Sequence, residues 1–489
     1  MLEEKNLYQT NNHSQKKSKP SALPVERQEV VNSWGGANAN ISYVYRPTTI
    51  EGVQEVLTMA QRYGRTIGLR GGGNSYGDAA MNGENILLDM RRMNRILSWN
   101  PSNGRVVTEP GVTISQLWQY VLEDGWWPPV VTGTSKTTIG GCAAMNVHGK
   151  NAWQVGPIGD HIINFDMLLP SGKIITCSRN ENADVFYAAI GGFGMLGIFT
   201  SITLQMKRIY SGNLQVHTQA QKNLTGMFNY FNENLEKSNY IVGWIDAFAK
   251  GDALGRGDVH RANYLPPGAD PEPQQSLRLE NQHLTPNMFG VLPRSIIWLG
   301  MRPFMNNFGT ALVNRGKFIT GRIGGVKSFQ QSHAAFHFLL DYVPDWKNAY
   351  GSGGLIQYQP FIPKETAHDA FKEMLRLCQR RGIINYLTVF KRHRPDNFLM
   401  SHGLDGFSLA MDFRITEKSR SRVAMLAREL DEIVLAANGR FYFAKDSTLR
   451  PEVAEAYLGK ETIAQFTTLK HRCDPNNLLE TDLWRRVFG

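Results

Sequence analysis

Cysteine is scarce in this chain. Cys142, Cys177, Cys378 and Cys473 are the only four in 489 residues, and no two form a C-x-x-C pair. That spacing argues against a disulfide framework or a structural zinc site, and it makes a reducing, cytoplasmic compartment the expectation. Long apolar runs are also missing. No stretch approaches the ~18 consecutive apolar residues of a membrane-spanning helix. The opening "MLEEKNLYQTNNHSQKKSKPSALP" has no apolar core of a secretory signal, so residues 1–24 read as a disordered tail. The 10 Trp and 17 Tyr are scattered and do not interleave with a basic stripe, so no nucleic-acid partner is expected. No metal-ligand spacing is present, and no metal is expected.

What remains is the composition of a globular protein, 42% hydrophobic and 20% charged, long enough for two domains. The net charge of +10 suits an anionic substrate, a cofactor pyrophosphate or an anionic membrane surface, and equally a solvated surface. "TIEGVQEVLTMAQRYG" puts Ile50, Val53, Val56, Leu57 and Ala60 on one helical face, with Gly64 as its stop. A helix over "TISQLWQYVLEDG" has Thr113 as its N-cap. Residues 265–290, rich in Pro and Gln, read as a long surface excursion. The last third reads as strand, helix, strand twice over ("GLIQYQPFIP" to "RFYFAKDS"), the split arrangement of a ferredoxin-like antiparallel sheet with both helices on one face. Period-two spacing then groups Gln357 with Gln359, Ser408 with Ala410 and Asp412, and Phe441 with Phe443 and Lys445. The polar members of these groups suggest that the face without helices lines a cavity.

Glycine is where the sequence is most informative. "RGGGNSYGD", residues 70–78, follows a short strand, and three successive glycines let backbone N–H groups converge on an anion. A plain tight turn needs fewer. "GGFGMLG" contains G-x-G-x-x-G at Gly192, Gly194 and Gly197, but it opens the strand-like "IFTSITLQM" rather than a helix, so a dinucleotide fingerprint fails on context.

Taken with "GTSKTTIGGCAAMNVHGKN", these segments resemble the FAD-binding (PCMH-type) domain of the vanillyl-alcohol-oxidase superfamily. "GLIQYQ", "VFK", "MDF", "FAKDS" and "CDPNNLLETDLWRR" follow in the order found in the decaprenylphosphoryl-β-D-ribose oxidase family. The resemblance covers residues 30–210 and 350–489 and is weak through 215–345. It implies an α+β fold with an FAD domain at 25–212, a substrate domain at 213–437, and a C-terminal segment at 438–489 returning to the FAD domain. It implies that Gly71, Gly72, Gly73, Asn74, Ser75, Tyr76, Gly77 and Asp78 cradle the FAD pyrophosphate. Gly133, Thr138, Ile139, Gly140, Gly141, Asn146, Val147 and His148 would line the isoalloxazine and ribityl chain, with Ile198 toward the adenine and Tyr442 closing over the flavin. Asn74 stands where some superfamily members carry a tethering histidine, so non-covalent FAD is expected.

The reaction implied is oxidation of a secondary alcohol of a sugar by hydride transfer to flavin N5. The family's essential lysine falls on Lys445, as base or as cation. Lys391 is the second cation, for phosphate or a hydroxyl, and Tyr76 and His148 are candidate proton relays. Gln357, Gln359 and Asp412 are candidates for the sugar, although Asp412 could equally pair with a lysine. Where close family members carry a cysteine, this chain has Ala410. The expected substrate is a sugar or polyprenyl-phosphate-linked sugar, a precursor of cell-wall polysaccharide. An NAD(P)H-dependent reductase would be the partner, with peripheral contact to the inner face of the membrane. Soluble sugar, alditol or lactone oxidation, alkene reduction and a non-catalytic flavin module are the alternatives.

Overall fold

The computed structural model describes residues 23–283, 287–288 and 292–489. Two small sheets occupy the first part of the chain. In the first, strands run in the order Gln28–Asn32, Ala39–Tyr45, Ile86–Asp89, Ile67–Arg70. Helix Ile50–Tyr63 packs on it through Val53, Val56, Leu57 and Ala60. The Thr49 side chain accepts from the Gly52 amide at its start, and Gly64 closes it with φ 63°. The second sheet is antiparallel, in the order Ile96–Asn100, Arg105–Thr108, Ile198–Gln205, Ile162–Leu168, Ile174–Ser178. The last residues return to the first sheet. The Ile67 amide donates to Leu478 O (2.7 Å) and the Glu480 amide to Ile67 O (2.9 Å). The Arg486 guanidinium donates to both Asp78 oxygens (2.8 Å each) and to Asp446 (2.7 Å), tying the final helix to the glycine loop.

The rest forms one nine-stranded antiparallel sheet. Its order is Lys327–Ser332, Asn213–Gln221, Gly257–Tyr264, Tyr240–Ile245, Leu387–His393, Gly406–Arg414, Pro360–Pro363, Arg440–Phe441, with Leu355–Tyr358 also pairing to Gly406–Arg414. The second half has the ferredoxin-like order expected for residues 355–441. The first half repeats that order from residues 213–332, and the two meet edge to edge at Gly243↔Phe390 and Trp244↔Val389. Successive strand residues point to opposite faces. A Cβ on Gly243 would meet Met227 of helix Leu224–Asn234, whereas Lys317 of helix Asn307–Ile323 lies over the Trp244 ring at 3.7 Å. These two helices therefore flank opposite faces. By the same register Trp244, Lys391, Ser408, Ala410, Asp412 and Gln357 share the face of helix Asn307–Ile323.

Three expectations change. Residues 1–22, 284–286 and 289–291 lie outside the described residues, but Leu23, within the expected tail, is buried in the core beneath helix Ile50–Tyr63. Residues 265–283 are not a free excursion. Gln282 is 1% exposed, donates to Gly212 O (2.8 Å) and accepts from the Ala334 amide (3.1 Å), which pins the segment down. Finally, Lys445 is not on a strand. Pairing stops at Phe441 and the chain turns, with the Lys445 amide donating to Tyr442 O (2.9 Å), so Phe441, Phe443 and Lys445 do not share a sheet face.

Candidate active site

A long slot runs between the two small sheets and the C-terminal turn, holding about 1140 Å³ of space with its open mouth included. The first glycine loop forms one wall, from Gly71 through Tyr76. The opposite wall comes from Gly133, Thr138, Gly140, Gly141 and Val147, with Ile198 at one end and Tyr442 and Lys445 at the other. The walls touch where only glycine fits. A Cβ on Gly71 would stand 2.1 Å from Thr138 Oγ1, and one on Gly72 would stand 2.6 Å from Lys136 O. Thr138 Oγ1 also accepts from the Gly72 and Gly141 amides (3.3 Å each), capping the short helix Ile139–Ala144. The amides of Gly73, Asn74 and Ser75 have no acceptor among the described residues. Three adjacent unpaired N–H groups, the first on Gly73 at φ 65°, leave donors free at the slot of the kind an anion such as a pyrophosphate requires.

Several expected cofactor residues are not brought to this slot. Gly77 packs on the C-terminal turn, where a Cβ would come within 1.7 Å of Asp446 O, and Asp78 is held by Arg486. Ile139 is fully buried in the core. Asn146 sits at φ 44° and accepts from the Gly159 amide (3.0 Å), supporting the loop from behind. His148 lies behind Tyr442, ring centroids 5.1 Å apart. Asn74, by contrast, lines the slot and donates to Lys136 O (3.3 Å). Cys142 lines the slot but is buried, its thiol pushed up to about 12 by desolvation, so it is a poor nucleophile.

At the Lys445 end the slot meets a polar cluster. Lys445 Nζ lies 3.7 Å from the centroid of the Tyr76 ring, which Trp34 flanks at 4.5 Å. Gln357 donates to Asp412, and both are buried. Burial pulls Lys445 down to about 7, opposed by the Asp412 carboxylate and assisted by Lys391. Burial raises Asp412 to about 7 and lowers Lys391 to about 8. Tyr76 is held well above its ordinary value, first by burial and then by Asp412, so it stays a phenol.

Behind Tyr442 lies a second network. Gln359 donates to His148 Nε2 (3.2 Å) and to Ser408 Oγ (3.4 Å), His148 Nδ1 meets His402 Nε2 (3.2 Å), and Ser408 Oγ bonds His393 Nε2 (2.8 Å). Burial drops His148 and His393 well below 6.5 and His402 to about 3, so all three are neutral. A neutral His148 that accepts at Nε2 donates through Nδ1 to His402. Sequence reading misses His393 and His402. His393 was within reach, two residues beyond Lys391 on the same strand face, whereas His402 comes from a loop with no pattern of its own.

A second cavity, about 1530 Å³ by the same measure, opens on the same sheet face. Trp244, Leu387, Trp346 and Tyr350 form its floor, with residues 292–305 and helix Asn307–Ile323 as its sides. Tyr76 of the slot packs in one apolar cluster with Trp346 and Tyr350 of this cavity, so a single layer of side chains separates the two.

Comparison with known proteins agrees with this geometry. A family model described as an FAD binding domain matches residues 41–178. The decaprenylphosphoryl-β-D-ribose oxidase of Mycolicibacterium smegmatis is 28% identical over 463 residues, covering 93% of this chain and 96% of that protein. L-gulonolactone oxidase of Bos taurus is 28% identical over 197 residues, 40% of this chain and 44% of its own length. D-arabinono-1,4-lactone oxidase of Yarrowia lipolytica is 26% identical over 230 residues, 46% and 43% respectively. The unpaired amides and the glycine-only walls of the slot fit the cofactor that this domain implies. The chain carries a PCMH-type FAD binding domain and is an FAD-dependent oxidoreductase.

Proposed function

We propose that the protein oxidises a secondary alcohol on a sugar carried by a polyprenyl phosphate. The observation that carries the reading is the placement of Lys445 and Tyr76 in the slot, beside the buried Gln357–Asp412 pair and one layer of side chains from a large apolar cavity. A soluble sugar or lactone has no use for that second space, whereas a lipid-linked sugar does. The near full-length similarity to an oxidase of decaprenylphosphoryl-ribose supports the same choice.

FAD, when bound, supplies the hydride acceptor. The chain's own residues bind and orient the sugar and take its proton. Lys445, lowered to about 7, exists as a neutral amine in a useful fraction of molecules at neutral pH and accepts the hydroxyl proton as the carbinol C–H is broken. Tyr76 shields it with a ring that remains uncharged. Gln357 holds a sugar hydroxyl and Asp412 fixes that glutamine by accepting its amide, while Gln359 is committed to His148 and Ser408 behind Tyr442. Lys391, a cation on the same sheet face with no ion pair to any described residue, receives the phosphate. His148 and its neutral neighbours are a rigid backing for Tyr442 and Gln359. FAD is held without a covalent bond, since neither Asn74 nor the buried Cys142 offers a nucleophile. The keto sugar produced then suits a separate NAD(P)H-dependent reductase.

The test is product analysis after incubation with polyprenylphosphoryl pentose, free alditols and sugar lactones. The reading expects two hydrogens lost from the lipid-linked sugar and slower turnover of the water-soluble compounds. Faster oxidation of an alditol or a lactone would replace it with soluble-sugar oxidation. Acid precipitation should release all flavin to the supernatant, and colour kept in the pellet would refute the non-covalent assignment.

A further inference from the structure

The outer side of the second cavity departs from the rest of the surface. Residues 281–340 contain no Asp or Glu, although at the chain's average acidic content, 43 in 489, about five would be expected, and they contain six Lys or Arg. The same region concentrates exposed apolar side chains. Of the 20 large hydrophobic residues exposed among the described residues, 12 fall between Leu292 and Leu339. Apolar exposure on this scale marks an interaction surface.

Helix Asn307–Ile323 shows how the surface is built. A helix on a globular protein ordinarily buries its apolar stripe. This one does the reverse, burying Thr310 and Asn314 alongside Phe318, with Asn314 donating to Asp246 (3.4 Å). Its outward stripe is Phe308, Leu312, Ile319 and Ile323, with Phe308 and Ile323 each 81% exposed. At 100° per residue these four lie within a 60° arc, and Arg315 and Arg322 flank it on one side. Arg315, Arg322, Arg302 and Lys327 form no ion pair with any described residue. Leu292, Ile296, Leu299 and Val313 are exposed and also line the cavity, so its mouth opens on this surface.

We propose that this face, helix Asn307–Ile323 with residues 292–304, docks the protein on a bilayer carrying anionic lipid headgroups. The apolar stripe enters the boundary of headgroups and acyl chains while the flanking arginines meet lipid phosphates. Charge decides the occupant. A second copy would bring Arg302, Arg315, Arg322 and Lys327 against their own copies, and residues 292–339 contain no carboxylate to meet them. Docking sets the cavity mouth against the bilayer, and a lipid-linked substrate would then reach Lys445 without its chain crossing water, a consequence that rests on the function proposed above.

The test is sedimentation of the FAD-loaded full chain with vesicles of phosphatidylcholine alone or mixed with phosphatidylglycerol. Binding is expected only with the anionic mixture and should weaken as salt rises. Arg315→Glu with Arg322→Glu should reduce partitioning at least about 25-fold, from roughly fivefold per lost basic charge. Phe308→Ser with Ile323→Ser should abolish it. Both pairs are exposed, so flavin content and melting temperature should stay at the wild-type values. Failure to bind anionic vesicles, or variants that bind as wild type does, would overturn the proposal. A dimer broken by Phe308→Ser with Ile323→Ser, without vesicle binding, would also overturn it and make the face a self-association surface. Vesicle binding needs no substrate, so oxidation of lipid-linked sugar in detergent by a protein that ignores vesicles would refute the docking alone.

Discussion

Replacing Lys445 separates its two possible roles, because a base must lose its proton and a binding cation must keep it. An ordinary lysine at 10.5 is neutral in roughly one molecule in 3000 at pH 7. Burial pulls Lys445 down to about 7, so its neutral form is populated near neutral pH. Activity should therefore rise about tenfold per pH unit below that point and level off above it. Lys445→Ala should lower kcat/KM by about 10²- to 10⁴-fold, or about 3–5 kcal/mol of transition-state stabilisation, and erase the rising limb. Lys445→Arg keeps the positive charge but cannot shed its proton, so it should be as impaired as the alanine variant. The assay is steady-state turnover across pH 5.5–9 with flavin content measured for each variant. Near wild-type activity in Lys445→Arg, or an unchanged pH limb in Lys445→Ala, would refute the assignment of Lys445 as base.

The remaining predictions follow from its neighbours. Asp412 supports the charged form of Lys445, so Asp412→Asn should move the rising limb to lower pH, whereas removing the repulsion of Lys391 with Lys391→Met should move it higher, both read from the same profiles. Arg486→Ala strands the Asp78 and Asp446 carboxylates, whose side chains are 12% and 8% exposed, and should cost about 3 kcal/mol, seen as a lowered unfolding midpoint. Arg486→Lys should recover little of it, since one ammonium cannot reproduce the fork across Asp78. Gly71→Ala drives a methyl into Thr138 Oγ1 and should weaken FAD binding roughly five- to hundredfold in a titration of the apoprotein, with secondary structure kept.

The parts of this account visible in the sequence are those whose cause is local. Three glycines before Asn74 specify a bare backbone whatever the rest of the chain does, and the structure leaves the amides of Gly73, Asn74 and Ser75 unpaired at a slot. The repeating strand and helix pattern from residue 355 announces its sheet for the same reason. The matching half from residue 213 is hidden because its strands, such as "NLQVHTQAQ", are half polar, and because helix Asn307–Ile323 exposes the stripe that periodicity would bury. Period-two reasoning groups Ser408, Ala410 and Asp412 on one face, as the strand register has them, but fails at Lys445, where a turn stabilised by Tyr442 O takes over from the ladder. His402 and the wall of Trp34, Trp346 and Tyr350 are assembled from distant segments, and no spacing reveals them.

The most direct test of the central claim is anaerobic mixing of the FAD-loaded protein with a polyprenylphosphoryl pentose while its visible absorption is followed. The account predicts bleaching of the flavin band in a single turnover, with one keto sugar formed per flavin, and loss of that bleaching in Lys445→Ala. A band that persists with the lipid-linked sugar yet bleaches with a free alditol or lactone would contradict the substrate assigned here, and bleaching undiminished in Lys445→Ala would contradict the chemistry.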